Sequence, residues 1–365
     1  MIFYLAHWDW ILYKSRIDIV NKFKEDNIVI NSISPTDNYK EQINESFNTH
    51  YEWNINRRKI IHFSAIINLR KILKNINEEN IIHIFTLKTG IYYVLATLFK
   101  RKKYKVIISI TGLGYLFSDN SLIKGIKFLI KPILIYLFNK KIDLIIFQNK
   151  NDFEKLVDYL KFQNKTKIIR GSGINTNIFQ KKNKTFNKNK IKILMCNRLL
   201  KDKGVQQFLD LANKLNGSKN LTFYLAGEVD LGNPSSFKND ELNKLISESN
   251  VIFLGNLEVE TKLKDYDILI LMSSHEGLPR IALESMYVGL ATISNNLPGL
   301  NEICDVNDNL YLINNNELES YIKVINDIQE QHLEQKIIYS RKKIENEFST
   351  DVIYKKFKEI YEFIL

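Results

Sequence analysis

Twice along the chain, short continuous apolar runs of β-type residues alternate with segments of helical period, and this pattern admits few folds. The first series is Ile2–Leu5, Ile28–Ile33, Ile81–Phe85, Lys105–Ile110 and Leu144–Gln148, with Lys167–Arg170 as a further candidate. The second is Ile191–Cys196, Leu221–Ala226, Val251–Leu254, Ile268–Met272 and Ala291–Ser294. Runs without polar alternation suit strands covered on both faces, and strands separated by helices pair in parallel. Helical patterns fall around Arg16–Lys24, Ile61–Ile76, Gly204–Leu215, Asn239–Ser247 and Pro279–Val288, and Leu318–Leu365 reads as helical throughout.

The chain of 365 residues is too long for one ordinary core. We therefore expect an α/β protein of two Rossmann-like, doubly wound parallel-sheet domains, with ligands at the carboxyl ends of the strands in a cleft between them. The polar, basic and aperiodic stretch Lys181–Lys190 reads as the linker. The expected division is 1–175, 176–348 and a terminal helix 349–365 able to pack back on the first domain.

Charge is divided unevenly. Residues 1–175 carry 28 Lys and Arg against 15 Asp and Glu; residues 176–365 carry 24 against 26. A compositional bias of the whole chain would load both parts, so the first part is expected to meet an anionic partner, nucleic acid and anionic or phosphorylated lipid being the classes that qualify. Nucleic acid is disfavoured because no recognised binding motif accompanies the charge. Within Ser121–Asn139, Lys124, Lys127 and Lys131 share one helical face with apolar residues elsewhere, which suits a membrane-interface helix and equally a core helix with a solvated stripe. The run Lys100-Arg101-Lys102-Lys103 favours the membrane contact. The apolar run Pro132–Asn139 is far shorter than the roughly 18–20 residues of a membrane span. The N-terminus lacks a signal peptide's charged region and cleavage site. Cys196 and Cys304 form no disulfide framework, in keeping with a reducing cytoplasm.

Two segments carry the chemistry. In Ser273–Glu284 (SSHEGLPRIALE) an apolar strand leads through a short loop to Pro279, expected as the first residue of a helix. Glu276 lies in the loop and Glu284 about a turn and a half into the helix, on either side of a helix N-terminus suited to phosphate. In Asn197–Gly204 (NRLLKDKG), Arg198 and Lys203 follow a strand's carboxyl end, where a planar fork and a point charge suit a diphosphate.

With GSGINTNIF (Gly171–Phe179), FYLAGE (Phe223–Glu228), IFLGN (Ile252–Asn256) and His275–Ile303, these segments resemble the retaining, GT-B-fold glycosyltransferases of family 4, over nearly the whole chain. The resemblance implies that Arg198 and Lys203 hold the diphosphate. It implies that Glu284 binds the ribose, and that Glu276 binds the donor sugar with the backbone of Gly277 and Leu278. Asn256 would lie near the base. The leaving phosphate would assist deprotonation of the acceptor at the front face, with no metal ion and no cofactor. His83–Phe99, ITGLGYLF (Ile110–Phe117) and EGLPRIALE are further similar to enzymes that extend undecaprenyl-diphosphate-linked glycans of O-antigen, capsule or N-glycan precursors. That implies a nucleotide sugar donor, expected to be a UDP sugar, and peripheral attachment at the inner face of the cytoplasmic membrane. Two departures stand out. Where many members carry His-Gly at the reacting centre, this chain has Thr111-Gly112, and in place of an N-terminal glycine-rich loop it has His7-Trp8-Asp9-Trp10. A sugar-nucleotide epimerase of the same fold and an inactive nucleotide-sugar-binding subunit are the rival readings.

Other signals fail on inspection. Gly112-Leu113-Gly114 is followed by Phe117 where a dinucleotide fingerprint needs glycine. Asp265-Tyr266-Asp267 precedes a strand, the wrong end for a ligand, and no His or Cys spacing suits a metal.

Overall fold

A computed structural model describes residues 1–364 apart from 57, 60–61, 78, 99–103, 114–120, 183–185, 231–232, 234 and 329; for 121–130, 239, 330 and 331 it describes the backbone alone. The chain divides into two units, Met1–Gly173 with Thr350–Leu365, and Ile174–Ser349.

The first unit's sheet comprises β1 (Ile2–Leu5), β2 (Ile30–Ser34), β3 (His50–Glu52), β4 (Ile81–Phe85), β5 (Lys105–Ile110), β6 (Leu144–Phe147) and β7 (Lys165–Ile168). They are parallel, in the order β3-β2-β1-β4-β5-β6-β7. The chain walks outward from β1 to β3, returns beside β1 as β4, and then walks the other way. Right-handed crossovers put the helices of the two walks on opposite faces. Accordingly Asp9–Glu25 and Lys40–Ser46 pack on one face, joined there by Thr350–Ile364. Phe63–Lys74, Leu87–Ala96, Ser121–Lys141 and Lys150–Leu160 cover the other.

The two faces differ in charge. The four helices of this second face contain eleven Lys and Arg and three acids. The three helices of the opposite face contain eight of each sign. Large apolar side chains also reach solvent on the basic face: Phe63 is 75% exposed, Ile67 59%, Ile133 54% and Tyr136 58%. The side chains of Lys124 and Lys127 lie outside the described residues; Lys131 Nζ sits 4.9 Å from the centroid of the Tyr159 ring.

The terminal helix Thr350–Ile364 completes the first unit's core. Tyr361 Oη lies 2.6 Å from His83 Nδ1 and 2.9 Å from Tyr4 Oη, and His83 Nε2 lies 2.7 Å from Ser109 Oγ. Burial pushes the His83 imidazole well below its ordinary pKa, and the Arg16 guanidinium acts in the same direction. Arg16 is itself buried, stacked 4.4 Å from the Phe85 centroid.

The second unit's sheet comprises β8 (Ile191–Cys196), β9 (Leu221–Ala226), β10 (Val251–Gly255), β11 (Ile268–Leu271), β12 (Ala291–Asn295) and β13 (Leu310–Ile313), all parallel, in the order β10-β9-β8-β11-β12-β13. Here the reversal of strand order falls between β8 and β11. Four sequence expectations are corrected. Lys181–Lys190 is not the linker: it lies within the second unit, which begins at Ile174. The strand expected at Lys167–Arg170 lies at Lys165–Ile168, β3 and β13 were not anticipated, and Leu318–Leu365 is not one helix. It forms Leu318–Asp327, Glu330–Glu347 and Thr350–Ile364, the chain turning extended at Ile328.

Candidate active site

In an open parallel sheet the loops diverge where strand order reverses, leaving a crevice at the carboxyl ends. The second unit's reversal lies between β8 and β11, so the loops that follow these two strands border it. They are the two segments singled out in the sequence. A 3₁₀ turn at Lys201–Lys203 follows β8 and ends at Gly204 with φ +76°. A Cβ at Gly204 would stand 2.3 Å from the carbonyl oxygen of Met272, directly after β11, so glycine lets the two loops meet.

Their meeting brings Lys203 Nζ to 2.5 Å from Glu276 Oε1, which also accepts a 3.2 Å hydrogen bond from Ser273 Oγ. Lys203 is buried and Glu276 half-buried. Arg198 Nη1 donates to Asp230 Oδ2 at 2.7 Å, and the Asp230 side chain is almost wholly buried. Among the described residues, Asn197 Nδ2 and Asp202 Oδ1 are buried without a hydrogen-bond partner, both on the β8 loop.

Pro279 is the N-cap residue, extended at ψ 119°, and the helix begins at Arg280, one residue later than expected. Its ring fixes φ, but the helical ψ starts only with the next residue. Glu284 is buried on this helix and accepts from Arg280 Nε at 2.7 Å. Gly277 and Leu278 are buried ahead of it, and Gly299 packs so closely that a Cβ there would lie 1.7 Å from the Gly277 carbonyl oxygen.

Arg198, Lys203, Glu276, Gly277, Leu278 and Glu284 thus belong to the two loops that meet at the β8–β11 reversal and to the helix that follows the second of them. Asn256 is not with them: it is exposed beyond the edge strand β10, two strands from β8 and so roughly 10 Å along the sheet. Thr111 and Gly112 follow β5 in the first unit, Gly112 with φ +140°. Sequence reasoning missed Asp230 and Arg280, the carboxylate and cation that pair with Arg198 and Glu284. The signal for Asp230 was its place shortly after β9, at the same sheet edge. Asp267, by contrast, serves the fold. It accepts from the ammonium of Lys182 and, at 2.7 Å, from the backbone N–H of Lys192. Among the described residues no group of three or more His, Cys, Asp or Glu could hold a metal ion.

Two doubly wound parallel-sheet units in one chain have the architecture of the GT-B fold. Residues 176–344 match the family of glycosyl transferases group 1, and residues 1–149 match the glycosyl transferase 4-like family; the chain belongs to these glycosyltransferases. A Campylobacter jejuni relative, N,N'-diacetylbacillosaminyl-diphospho-undecaprenol alpha-1,3-N-acetylgalactosaminyltransferase, is 24% identical over 99% of this chain and 98% of its own length. The Staphylococcus aureus capsular polysaccharide biosynthesis glycosyltransferase CapM is 20% identical over 85% of this chain and 84% of its own. Among solved structures, Anabaena HepE in complex with UDP and glucose superposes with a TM-score of 0.78 at 15% identity, covering 99% of both chains. Sucrose-phosphate synthase from Thermosynechococcus elongatus gives 0.77 at 13% identity, covering 99% and 98%.

Proposed function

We propose that the chain transfers a hexose or N-acetylhexosamine from a UDP sugar to a polyprenyl-diphosphate-linked glycan, with retention at the anomeric carbon and without a metal ion, in surface polysaccharide assembly. The observation that carries this reading is the convergence of Arg198, Lys203, Glu276 and the N-terminus of the Arg280–Val288 helix at the β8–β11 reversal. A nucleoside diphosphate sugar presents a ribose, two phosphates and the sugar in line. Arg198 and Lys203 would take the phosphates, and stabilise charge on the departing diphosphate electrostatically. The buried polar atoms of Asn197 and Asp202 offer further hydrogen bonds at the same loop. Glu284 is placed for the ribose hydroxyls and Glu276 for the donor sugar. The relative from Campylobacter, matched end to end, supports the lipid-linked acceptor, and the UDP complex of HepE supports the donor nucleotide.

The acceptor end is assigned to the first unit, whose basic, partly apolar face suits an anionic membrane surface. Among the described residues no helix is long and apolar enough to cross a membrane, and the proposal is peripheral attachment at the inner face of the cytoplasmic membrane. Incubation with UDP sugars and an undecaprenyl-diphosphate glycan, followed by mass spectrometry of both lipid and nucleotide fractions, tests the reading. A lipid glycan longer by one sugar is expected. An epimerised donor would mark an epimerase, and nucleotide binding with no chemistry an inactive subunit.

A further inference from the structure

The first unit has its own reversal of strand order, between β1 and β4, and the loop leaving β1 carries residues that the donor chemistry does not use. Trp8 and Trp10 stack with centroids 4.9 Å apart and planes 18° apart, and both are half-buried. Tyr13 and Tyr39 stack on each other at 4.3 Å and 15°. A buried carboxylate ties together the backbone that carries Trp10 and Tyr39. Asp9 Oδ1 accepts from the backbone N–H of Trp10 at 2.7 Å, and Oδ2 accepts from the backbone N–H groups of Asp37 and Tyr39, both at 3.1 Å.

His7, adjacent to Trp8 in sequence, joins a polar group formed by residues that follow β1 and β4. His7 Nδ1 is 2.9 Å from Thr89 Oγ1 and 3.1 Å from Thr86 Oγ1, and the His7 backbone N–H donates to Thr89 Oγ1 at 3.2 Å. Thr86, directly after β4, has φ +78° and ψ 149°, a backbone conformation that β-branched residues avoid. Thr111 follows the neighbouring strand β5 on the same edge. From His7 to Leu12 there is no Lys or Arg. Beyond them, Lys14 Nζ sits 5.1 Å from the centroid of the Tyr13 ring, and Arg16 is buried in the core. Between Thr86 and Thr89, Lys88 donates to the Lys59 carbonyl oxygen at 3.0 Å, and the group suits a ligand with an apolar face and a polar rim.

A pyranose ring has that form. Its C–H faces meet the electron-rich faces of indoles, and its hydroxyls ring the edge. Resting on the assignment of the acceptor to this unit, we propose that His7, Trp8, Trp10 and Thr86 form a subsite for a sugar ring of the acceptor glycan. An indole face not covered by the other indole stacks against the ring, and the His7–Thr86–Thr89 polar group lies at its rim.

Binding without turnover tests this separately from the reaction. The probes are farnesyl diphosphate carrying glucose, N-acetylglucosamine or N-acetylgalactosamine, and bare farnesyl diphosphate. The wild type is expected to bind at least one sugar-bearing probe more tightly than the bare one. Trp8→Ala is expected to weaken that probe about tenfold, to leave bare farnesyl diphosphate and UDP unaffected, and to be largely rescued in Trp8→Phe. His7→Gln, which keeps a side-chain hydrogen-bonding group, is expected to lose less than His7→Ala. UDP binding shows that a variant is folded in the second unit, and circular dichroism melting checks the first. Equal binding of sugar-bearing and bare probes by the wild type overturns the subsite. So does equal loss for both probes in Trp8→Ala, or no loss in Trp8→Ala and His7→Ala. Failure of the reaction with a subsite that still discriminates the probes would instead count against the proposed transfer.

Discussion

Lys203 and Glu276 lie 73 residues apart in sequence, and the ammonium of one is 2.5 Å from the carboxylate of the other. The pair joins the loop after β8 to the loop after β11 across the strand-order reversal, so the cation assigned to the diphosphate and the acid assigned to the sugar are held by each other. Lys203→Ala and Arg198→Ala are each expected to raise the transfer barrier by roughly 3–4 kcal/mol, by analogy with other charge-stabilising donors. A double cycle of Lys203→Met with Glu276→Gln should be non-additive in turnover, because the residues are in direct contact. Turnover near wild type in either alanine variant would place the diphosphate elsewhere.

Glu284 is expected to behave differently. It is buried, paired with Arg280 and assigned to a part of the donor that does not react, so its contact is similar in ground and transition states. Glu284→Ala should raise the donor KM with little change in kcat, whereas Glu276→Ala should lower kcat. Steady-state kinetics with varied donor decides, and an unchanged donor KM in Glu284→Ala would remove the ribose assignment.

Chelation is a further check. With EDTA present, transfer should continue at a comparable rate. Loss that Mn²⁺ or Mg²⁺ restores would return attention to Asp265 and Asp267, although Asp267 already holds Lys182 and the Lys192 backbone.

Acid should loosen the first unit through His83. Its folded pKa is depressed, so the unfolded chain binds the proton more readily, and the stability of the neutral form is lost as pH falls below the ordinary histidine value of about 6.5. His50, also lowered by burial, adds to the same slope. Melting temperatures between pH 7.5 and 5 should therefore decline, less steeply in His83→Gln. Tyr361→Phe leaves polar groups of this network unmatched and should cost about 1–3 kcal/mol by denaturant unfolding. An identical pH slope in wild type and His83→Gln would remove His83 from the account.

Salt-sensitive binding to anionic vesicles is expected of the basic face. Each cation near such a surface contributes about 1 kcal/mol, so Lys124→Glu, Lys127→Glu and Lys131→Glu together should abolish flotation with the vesicles at low salt. UDP binding should be spared. Equal flotation of wild type and triple variant would return the Ser121–Lys141 helix to a purely structural role.

The alternation of elements was legible in the sequence because central strands buried on both faces must be apolar throughout. Edge strands escape that demand. His50–Glu52, Lys165–Ile168 and Leu310–Ile313 lie at sheet edges and were missed or displaced, while the fourth edge strand, Val251–Gly255, is apolar enough to have been read. The candidate site was legible where residues directly follow strands, as Arg198, Lys203 and Glu276 do, because the carboxyl ends of a parallel sheet are set once the strands are. Tertiary structure alone decided which groups face one another: Asp230 with Arg198, Arg280 with Glu284, and Tyr361 with His83, 278 residues away. It also decided that the terminal helix belongs to the first unit and that basic charge gathers on one of its faces. Local periodicity records only whether a residue is covered. The partner that covers it depends on strand order and crossover hand, which are properties of the folded chain.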